Sequence, residues 1–452
     1  VLPKNIFREY DIRGTVGEEL TDEVVAAIGR GVGTYLIRRG KKTALLCRDN
    51  RPSSEKFAGL VSEQLQATGV NVVDLGLAPT PAFYFAMREY APGQGGVMVT
   101  GSHNPPAFNG FKVSCGEGTI YGREIARIAE IIEAGDFALG RGSYCERDVL
   151  ADYRRALLDG VAVRRAVKVV ADAGNGTASL LIPEVLAAAG CAAEGLFCEL
   201  DGTFPNHWPD PTVPANMAAL VARVRETGAE VGVAFDGDGD RIGAVDDRGR
   251  VIWGDRLLAL FAGPVLSSHP GGKVVFEVKC SHALPEEIVA RGGVPIMWKT
   301  GHSLIEAKIR EEGALLAGEM SGHIYFADRY YGYDDALYAA LRLAELLADA
   351  DAPLSELADR IPQYAATPEL RVECSDDVKF RAVEKIKERF RGDHEIIDVD
   401  GARIIFEDGW GLVRASNTQP ALVLRFEATT ASRRDEIRAT VEAALAEILA
   451  DA

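Results

Sequence analysis

Apolar and polar positions in residues 43–76 fall into three successive runs. TALLC is short and continuously apolar, like a buried strand. After the polar RDNRPSS, the run EKFAGLVSEQLQATG spaces its apolar residues three and four apart and closes on glycine, which predicts an amphipathic helix. VNVVDLG then restores the strand pattern. The same order recurs in VKVVADAGNGTASLLIPEVLAAAGCAAEGLF and in GKVVFEVKCSHALPEEIVARGGVPIMWKTG. After each copy comes a strand that breaks into a polar loop: VMVTGSHNPP, VGVAFDGDGDRIGAV and ALLAGEMSGHIYF. Repetition of pattern without identity predicts an α/β protein of three similar domains with mixed, largely parallel sheets. Their loops at the strand ends are expected to face one central cleft. From about Tyr364 the pattern changes to strands grouped between two helices, VKFRAVEKIKERF and ASRRDEIRATVEAALAEILADA, which predicts a C-terminal α+β domain. The expected boundaries are 1–150, 151–252, 253–363 and 364–452.

Size and charge narrow the class. A chain of 452 residues is too long for one core. With 47% hydrophobic and 26% charged residues it reads as a soluble globular protein, without an uninterrupted apolar run of membrane-span length or a signal-like opening segment. Seven scattered cysteines lack a C-x-x-C spacing, which argues against zinc or a disulfide framework and suits a reduced, cytoplasmic compartment. A net charge of −17 without a basic stripe excludes a nucleic-acid binder by expectation. Cations instead sit singly in loops: Arg13, Arg48, Lys112, Arg241, Lys279, Lys299 and Arg414.

The loops carry the chemistry. In DGDGDR, Asp236, Asp238 and Asp240 alternate with glycine, and three carboxylates brought this close repel unless a cation sits among them. Oxygen ligands favour Mg²⁺ or Ca²⁺ over zinc, and Mg²⁺ is expected because phosphate oxygens commonly complete its shell. An EF-hand is the competing reading, but Arg241 stands where that loop needs glycine and both flanks read as strands. GEMSGH offers Glu319, Ser321 and His323 to sugar hydroxyls or to proton transfer. RASNTQP groups Arg414, Ser416, Asn417 and Thr418 as a phosphate clamp. Ser102, in a turn stiffened by Pro105 and Pro106, has no Ser-His-Asp partners or nucleophile elbow in sequence, so phosphoryl transfer is favoured over acyl transfer. Lys112 is a proton acceptor if burial lowers its pKa. A nucleotide-binding reading of Gly29, Gly31 and Gly33 is weak, since they fall inside a helical pattern.

FREYDIRG, TGSHNPP with NGFK, DGDGDR, GEMSGH and RASNTQP, in this order over the whole chain, resemble the α-D-phosphohexomutase superfamily, most closely its bacterial phosphomannomutase/phosphoglucomutase branch. The resemblance implies that Ser102 carries the phosphoryl group and, with Asp236, Asp238 and Asp240, holds Mg²⁺. Glu319 and Ser321 would grip the sugar O3 and O4, while Arg414, Ser416, Asn417 and Thr418 bind the phosphate that is not reacting. Tyr10, Arg13, His103, Lys112, Arg241, Lys279 and His302 would line the cleft, with Lys112, His302 and His323 as unranked acid/base candidates. It further implies reversible transfer between C1 and C6 of mannose and glucose phosphates, through a 1,6-bisphosphate that turns end for end; glucose 1,6-bisphosphate is the activator. A cytoplasmic monomer acting on hexose 1- and 6-phosphates, without nucleic-acid or membrane partners, is expected. Phosphoglucosamine mutase and a metal-dependent phosphohydrolase are the enzymatic alternatives, and a calcium-binding module the non-enzymatic one.

Overall fold

The computed structural model describes residues 2–417 and 419–450. Three sheets repeat one arrangement. In the first, Asn71–Leu77, Thr43–Arg48 and Gly95–Val99 run parallel in that order, and Phe108–Cys115 returns antiparallel beside the last. The second places Ala192–Leu196, Lys168–Asp172, Val231–Phe235 and the antiparallel Ile242–Asp246 in the same sequence. The third repeats it with Val294–Trp298, Lys273–Glu277, Leu316–Gly318 and Ile324–Phe326. Parallel neighbours need a crossover, which the helices Ser54–Ala67, Ile182–Ala188 and Ala283–Ala290 provide. Gly95–Val99 and Val231–Phe235 are buried along their whole length, as strands covered on both faces must be.

This topology puts one loop of each domain at the end of the third parallel strand, before the chain turns back. Those loops hold Ser102, the three aspartates, and Glu319 with His323. The strands flanking the aspartates pair antiparallel, with Phe235 opposite Ile242, so the EF-hand reading fails for lack of flanking helices. The nucleotide-binding reading fails as well: Gly29, Gly31 and Gly33 lie within the helix Asp22–Arg38. A Cβ on Gly31 would stand 2.7 Å from Ile132, so glycine here serves close helix packing.

The C-terminal sheet is antiparallel throughout: Ala365–Ala366, Ala421–Ala428, Gly409–Ala415, Ala402–Phe406 and Glu395–Ile397, with Leu370–Glu373 also pairing to Ala421–Ala428. The helices Asp376–Phe390 and Ala431–Ala450 cover it through Ile386, Val441 and Leu445. One continuous core, including Phe83, Val169 and Phe326, joins the first three domains, whereas the fourth has a core of its own. No described helix is long and apolar enough to cross a membrane.

Candidate active site

Ser102 stands at φ 50°, left-handed backbone that costs a side-chain-bearing residue about 1 kcal/mol or more and persists only when its surroundings hold it. Its N–H donates to Thr100 Oγ1 at 2.8 Å, and Arg13 Nη1 donates to Asn104 Oδ1 at 2.7 Å farther along the turn. Ser102 Oγ donates to Asp236 Oδ2 at 2.9 Å and lies 3.2 Å from His103 Nδ1. The first two domains therefore meet at the serine hydroxyl. Gly237 allows the approach, since a Cβ there would sit 2.6 Å from the Ser102 carbonyl oxygen.

Asp236, Asp238 and Asp240 are fully buried, with carboxylate oxygens within 4.8 Å of one another. Asp236 Oδ1 accepts the N–H groups of Gly239, Asp240 and Arg241 at 3.0, 3.1 and 3.1 Å, which closes the hairpin loop around that carboxylate. Lys112 donates to Asp238 Oδ2 at 3.0 Å and to Asp240 Oδ2. Asp238 Oδ1 and Asp240 Oδ1 are buried without a hydrogen-bond partner. Buried anionic oxygens left unpaired are costly, and a hard divalent cation satisfies this donor set. Burial and the two neighbouring carboxylates push the Asp236 carboxyl well above its usual range. Burial opposes ionisation of Asp240 as well, but Lys112, His323 and Arg241 outweigh it and hold that group low.

The same carboxylates act on Lys112. Burial draws the Lys112 pKa down, yet Asp238 and Asp240 override this and raise it well above its usual value, so Lys112 faces these carboxylates as an ammonium. Both histidines behave differently. Burial drives His302 well below its ordinary pKa, with Lys112 adding to the effect, and its Nε2 is buried without a partner. Burial takes His323 down to about 4, against the pull of Asp240. Arg241 Nε donates to His323 Nε2 at 2.9 Å, which assigns the ring proton to Nδ1, 2.7 Å from Asp334 Oδ2. The contact is close, but its angle is too poor for a hydrogen bond. His302 stacks on His323 with ring centres 5.9 Å apart and meets the Tyr10 ring edge-on at 6.3 Å.

Tyr10 connects three domains, donating to the Thr300 carbonyl at 2.5 Å and accepting from Asn417 Nδ2 at 2.6 Å. Glu319 Oε1 accepts the Gly301 N–H at 2.8 Å, and burial raises its pKa. Ser321 lies half-buried in the same turn. Arg414 Nε donates to Asp400 Oδ2 at 2.6 Å, and that oxygen also takes the Thr300 N–H at 3.0 Å. Lys279 Nζ bonds Glu369 at 3.0 Å, across the boundary to the C-terminal domain. Ser416 Oγ accepts from Gln419 N–H at 3.1 Å; Thr418 lies outside the described residues.

The contacts thus run continuously from Ser102 through Asp236, Arg241, His323, His302 and Tyr10 to Asn417. Sequence reasoning passed over several buried neighbours: Arg51, whose guanidinium grips the serine loop; Asp49, its carboxylate partner; Asp334 beside His323; and Thr80, whose hydroxyl donates to Asp238 Oδ2 at 2.7 Å. The signal available for Arg51 was its place in RDNRPSS, a loop at the end of a parallel strand like the others.

Four family models for phosphoglucomutase/phosphomannomutase match the chain: alpha/beta/alpha domain I over residues 4–139, domain II over 151–249, domain III over 253–364, and the C-terminal domain over 369–444. A phosphomannomutase/phosphoglucomutase of Pseudomonas aeruginosa is 44% identical over 438 residues, 97% of this chain and 94% of that protein. A phosphoglucomutase of Neisseria gonorrhoeae is 42% identical over 442 residues, 97% and 96% of the two chains. A crystal structure of a phosphoglucomutase/phosphomannomutase family protein from Burkholderia thailandensis superposes with a TM-score of 0.93 at 41% identity, covering 99% of this chain and 98% of that one. With all four domains matched and near-complete coverage at this identity, the chain belongs to the phosphoglucomutase/phosphomannomutase family of enzymes.

Proposed function

We propose that this enzyme interconverts hexose 1-phosphates and 6-phosphates, of mannose and glucose, by carrying a phosphoryl group on Ser102. The observation that carries the proposal is the 2.9 Å approach of Ser102 Oγ to Asp236, at the edge of three buried carboxylates with unpaired oxygens. In the forward direction the sugar C6 hydroxyl attacks phosphorus, its O–P bond forms, the Ser102 Oγ–P bond breaks, and the hydroxyl proton leaves to a base. The neutral imidazoles of His302 and His323 fit that task. Of the two, His302 Nε2 is uncommitted, while His323 Nε2 is taken by Arg241. The product is a 1,6-bisphosphate, which turns so that its other phosphate faces Ser102 and is returned by the reverse chemistry.

Asp236, Asp238, Asp240 and a Ser102-borne oxygen would hold Mg²⁺. When bound, the ion supplies charge neutralisation for the phosphoryl group. His103, Lys112, Arg13 and Arg241 surround the reacting phosphate, with Lys112 as a fixed cation. Glu319 and Ser321 accept from and donate to the sugar O3 and O4, a grip that ignores C2 and so admits both sugars. Arg414, Ser416, Asn417 and Thr418, with Tyr10 and Lys279, clamp the distal phosphate in either orientation. Division of the chain at 1–150, 151–252, 253–363 and 364–452 assigns these tasks to successive domains. Since one chain supplies every loop, a cytoplasmic monomer suffices, with glucose 1,6-bisphosphate as activator.

Intact-protein mass measurement and peptide mapping, followed by assay with glucose 1-phosphate, Mg²⁺ and a trace of glucose 1,6-bisphosphate, test the reading. Phosphate on Ser102 and isomerisation that Ser102→Ala lowers by about 10³-fold or more are expected. Free phosphate without isomer overturns it in favour of a hydrolase, and activity confined to glucosamine phosphate overturns the sugar assignment.

A further inference from the structure

Arg51 is buried and touches neither of the imidazoles nor the three aspartates, yet each of its five guanidinium hydrogens has an acceptor. Nε donates to Asp49 Oδ2 at 3.0 Å. Nη1 donates to the carbonyls of Pro105 and Phe108 at 2.7 and 3.0 Å, and Nη2 to those of Ser102 and Asn104, both at 2.6 Å. A guanidinium has five donors in a fixed planar fork, so this set is complete and its geometry is imposed on whatever it binds. What it binds is the loop from the serine to the start of the returning strand. Asp49 closes the arrangement by accepting the Gly101 N–H at 3.2 Å, and Gly101 leaves room for the guanidinium, since a Cβ there would stand 2.6 Å from Cζ.

The opposite side of the guanidinium faces the second domain. Its Cζ lies 5.2 Å from the Phe204 ring centre, and the neighbouring Asn50 Nδ2 donates to the Asn175 carbonyl at 2.7 Å. Arg51 is therefore fixed from both domains whose loops meet at the Ser102–Asp236 contact.

We propose that Arg51 is the positioning residue of the phosphoryl-carrying serine: by gathering four loop carbonyls it holds Ser102 in its left-handed conformation and aims Oγ at the carboxylate cluster. This inference rests on the reading of Ser102 as the carrier.

Arg51→Lys keeps the charge but has three donors on a flexible stem and cannot reproduce the fork. Expected is a fall in kcat of about 10²-fold with KM for glucose 1-phosphate changed less than about threefold, the size of loss that follows a misplacement of about 1 Å. Phosphorylation of Ser102 by glucose 1,6-bisphosphate, followed by intact mass in single turnover, slows by the same factor. Arg342→Lys is the control: Arg342 is buried and paired with Asp328 at 2.9 Å, far from the serine loop in sequence, and its replacement lowers Tm without lowering kcat. If Arg51→Lys lowers Tm but leaves kcat per folded molecule within about threefold of wild type, the positioning role is refuted. Should Arg51→Lys fail to fold, Gly101→Ala displaces the guanidinium from the loop side, and wild-type kcat in that variant overturns the inference. Failure of the underlying reading looks different: phosphate would map away from Ser102, or persist in Ser102→Ala, whatever Arg51→Lys does.

Discussion

Lys112 shows how one side chain can stabilise a site whose intended partner is an ion. Its ammonium neutralises Asp238 and Asp240 from one side, while Asp238 Oδ1 and Asp240 Oδ1 stay unpaired on the other. The fold therefore tolerates chelation, and Lys112→Met does not share that tolerance. Removing one partner of a buried charge pair costs about 3–5 kcal/mol. In EDTA the variant's Tm is expected to drop accordingly, and added Mg²⁺ should raise it by more than it raises wild type. Equal Mg²⁺-induced shifts in differential scanning calorimetry would sink the shared counter-charge. At this scale, Ser102 and the aspartate triad were readable because residue type and local spacing carry the meaning. Arg51 was not, because a guanidinium among backbone carbonyls looks in sequence like any other arginine; its role comes from the loop folded around it. For Lys112 the sequence left open whether burial would lower its pKa; the Asp238 and Asp240 charges that raise it instead come only with the fold.

At the scale of elements, the site depends on three hairpin loops opening at equivalent ends of three equivalent sheets. The loop from Asp236 to Arg241 must nest against the serine loop, and the glycine at 237 is what permits a Cβ-free approach. Gly237→Ala is expected to push Ser102 and Asp236 apart, lowering kcat by about 10²-fold while costing about 1–3 kcal/mol of stability. Steady-state kinetics with a urea titration separates the two effects, and an unaltered kcat with normal Mg²⁺ affinity would show that the seam has slack. The strand, helix, strand order was readable because a short continuous apolar run and a helical period of 3.6 are both local properties. That Gly31 in Asp22–Arg38 serves packing against Ile132 was not, since a neighbour about 100 positions away supplies the reason.

For the whole molecule, the separate core of the C-terminal domain matters most. The first three domains share one apolar interior, which makes them a common base, whereas the fourth meets that base through polar links such as Tyr10 with Asn417 and Lys279 with Glu369 and through a small cluster around Trp410. Under the proposed mutase reading, a domain that shares no large core with the other three is the one placed to loosen while the bisphosphate turns. Lys279 holds the Glu369 carboxyl down to about 2, against the effect of burial. A depressed carboxylate pKa stabilises the folded arrangement fully above the unfolded value of about 4.3 and is lost as pH falls from there through about 2. Glu369→Gln is thus expected to lower stability by about 3 kcal/mol at pH 7, with the difference from wild type vanishing below about pH 2. A gap in Tm that stays constant from pH 7 down to the acid limit would show that the pair does not link the domains. The amino-acid order was enough to settle the element types, the threefold plan, and which loops carry carboxylates, hydroxyls and cations, because each follows from residues within a turn or two of one another. Folding alone could bring Ser102 to Asp236 across 134 positions and Tyr10 to Asn417 across 407, and so choose which buried charges face one another. The field at each titrating group is the sum over those distant neighbours, which no local pattern encodes.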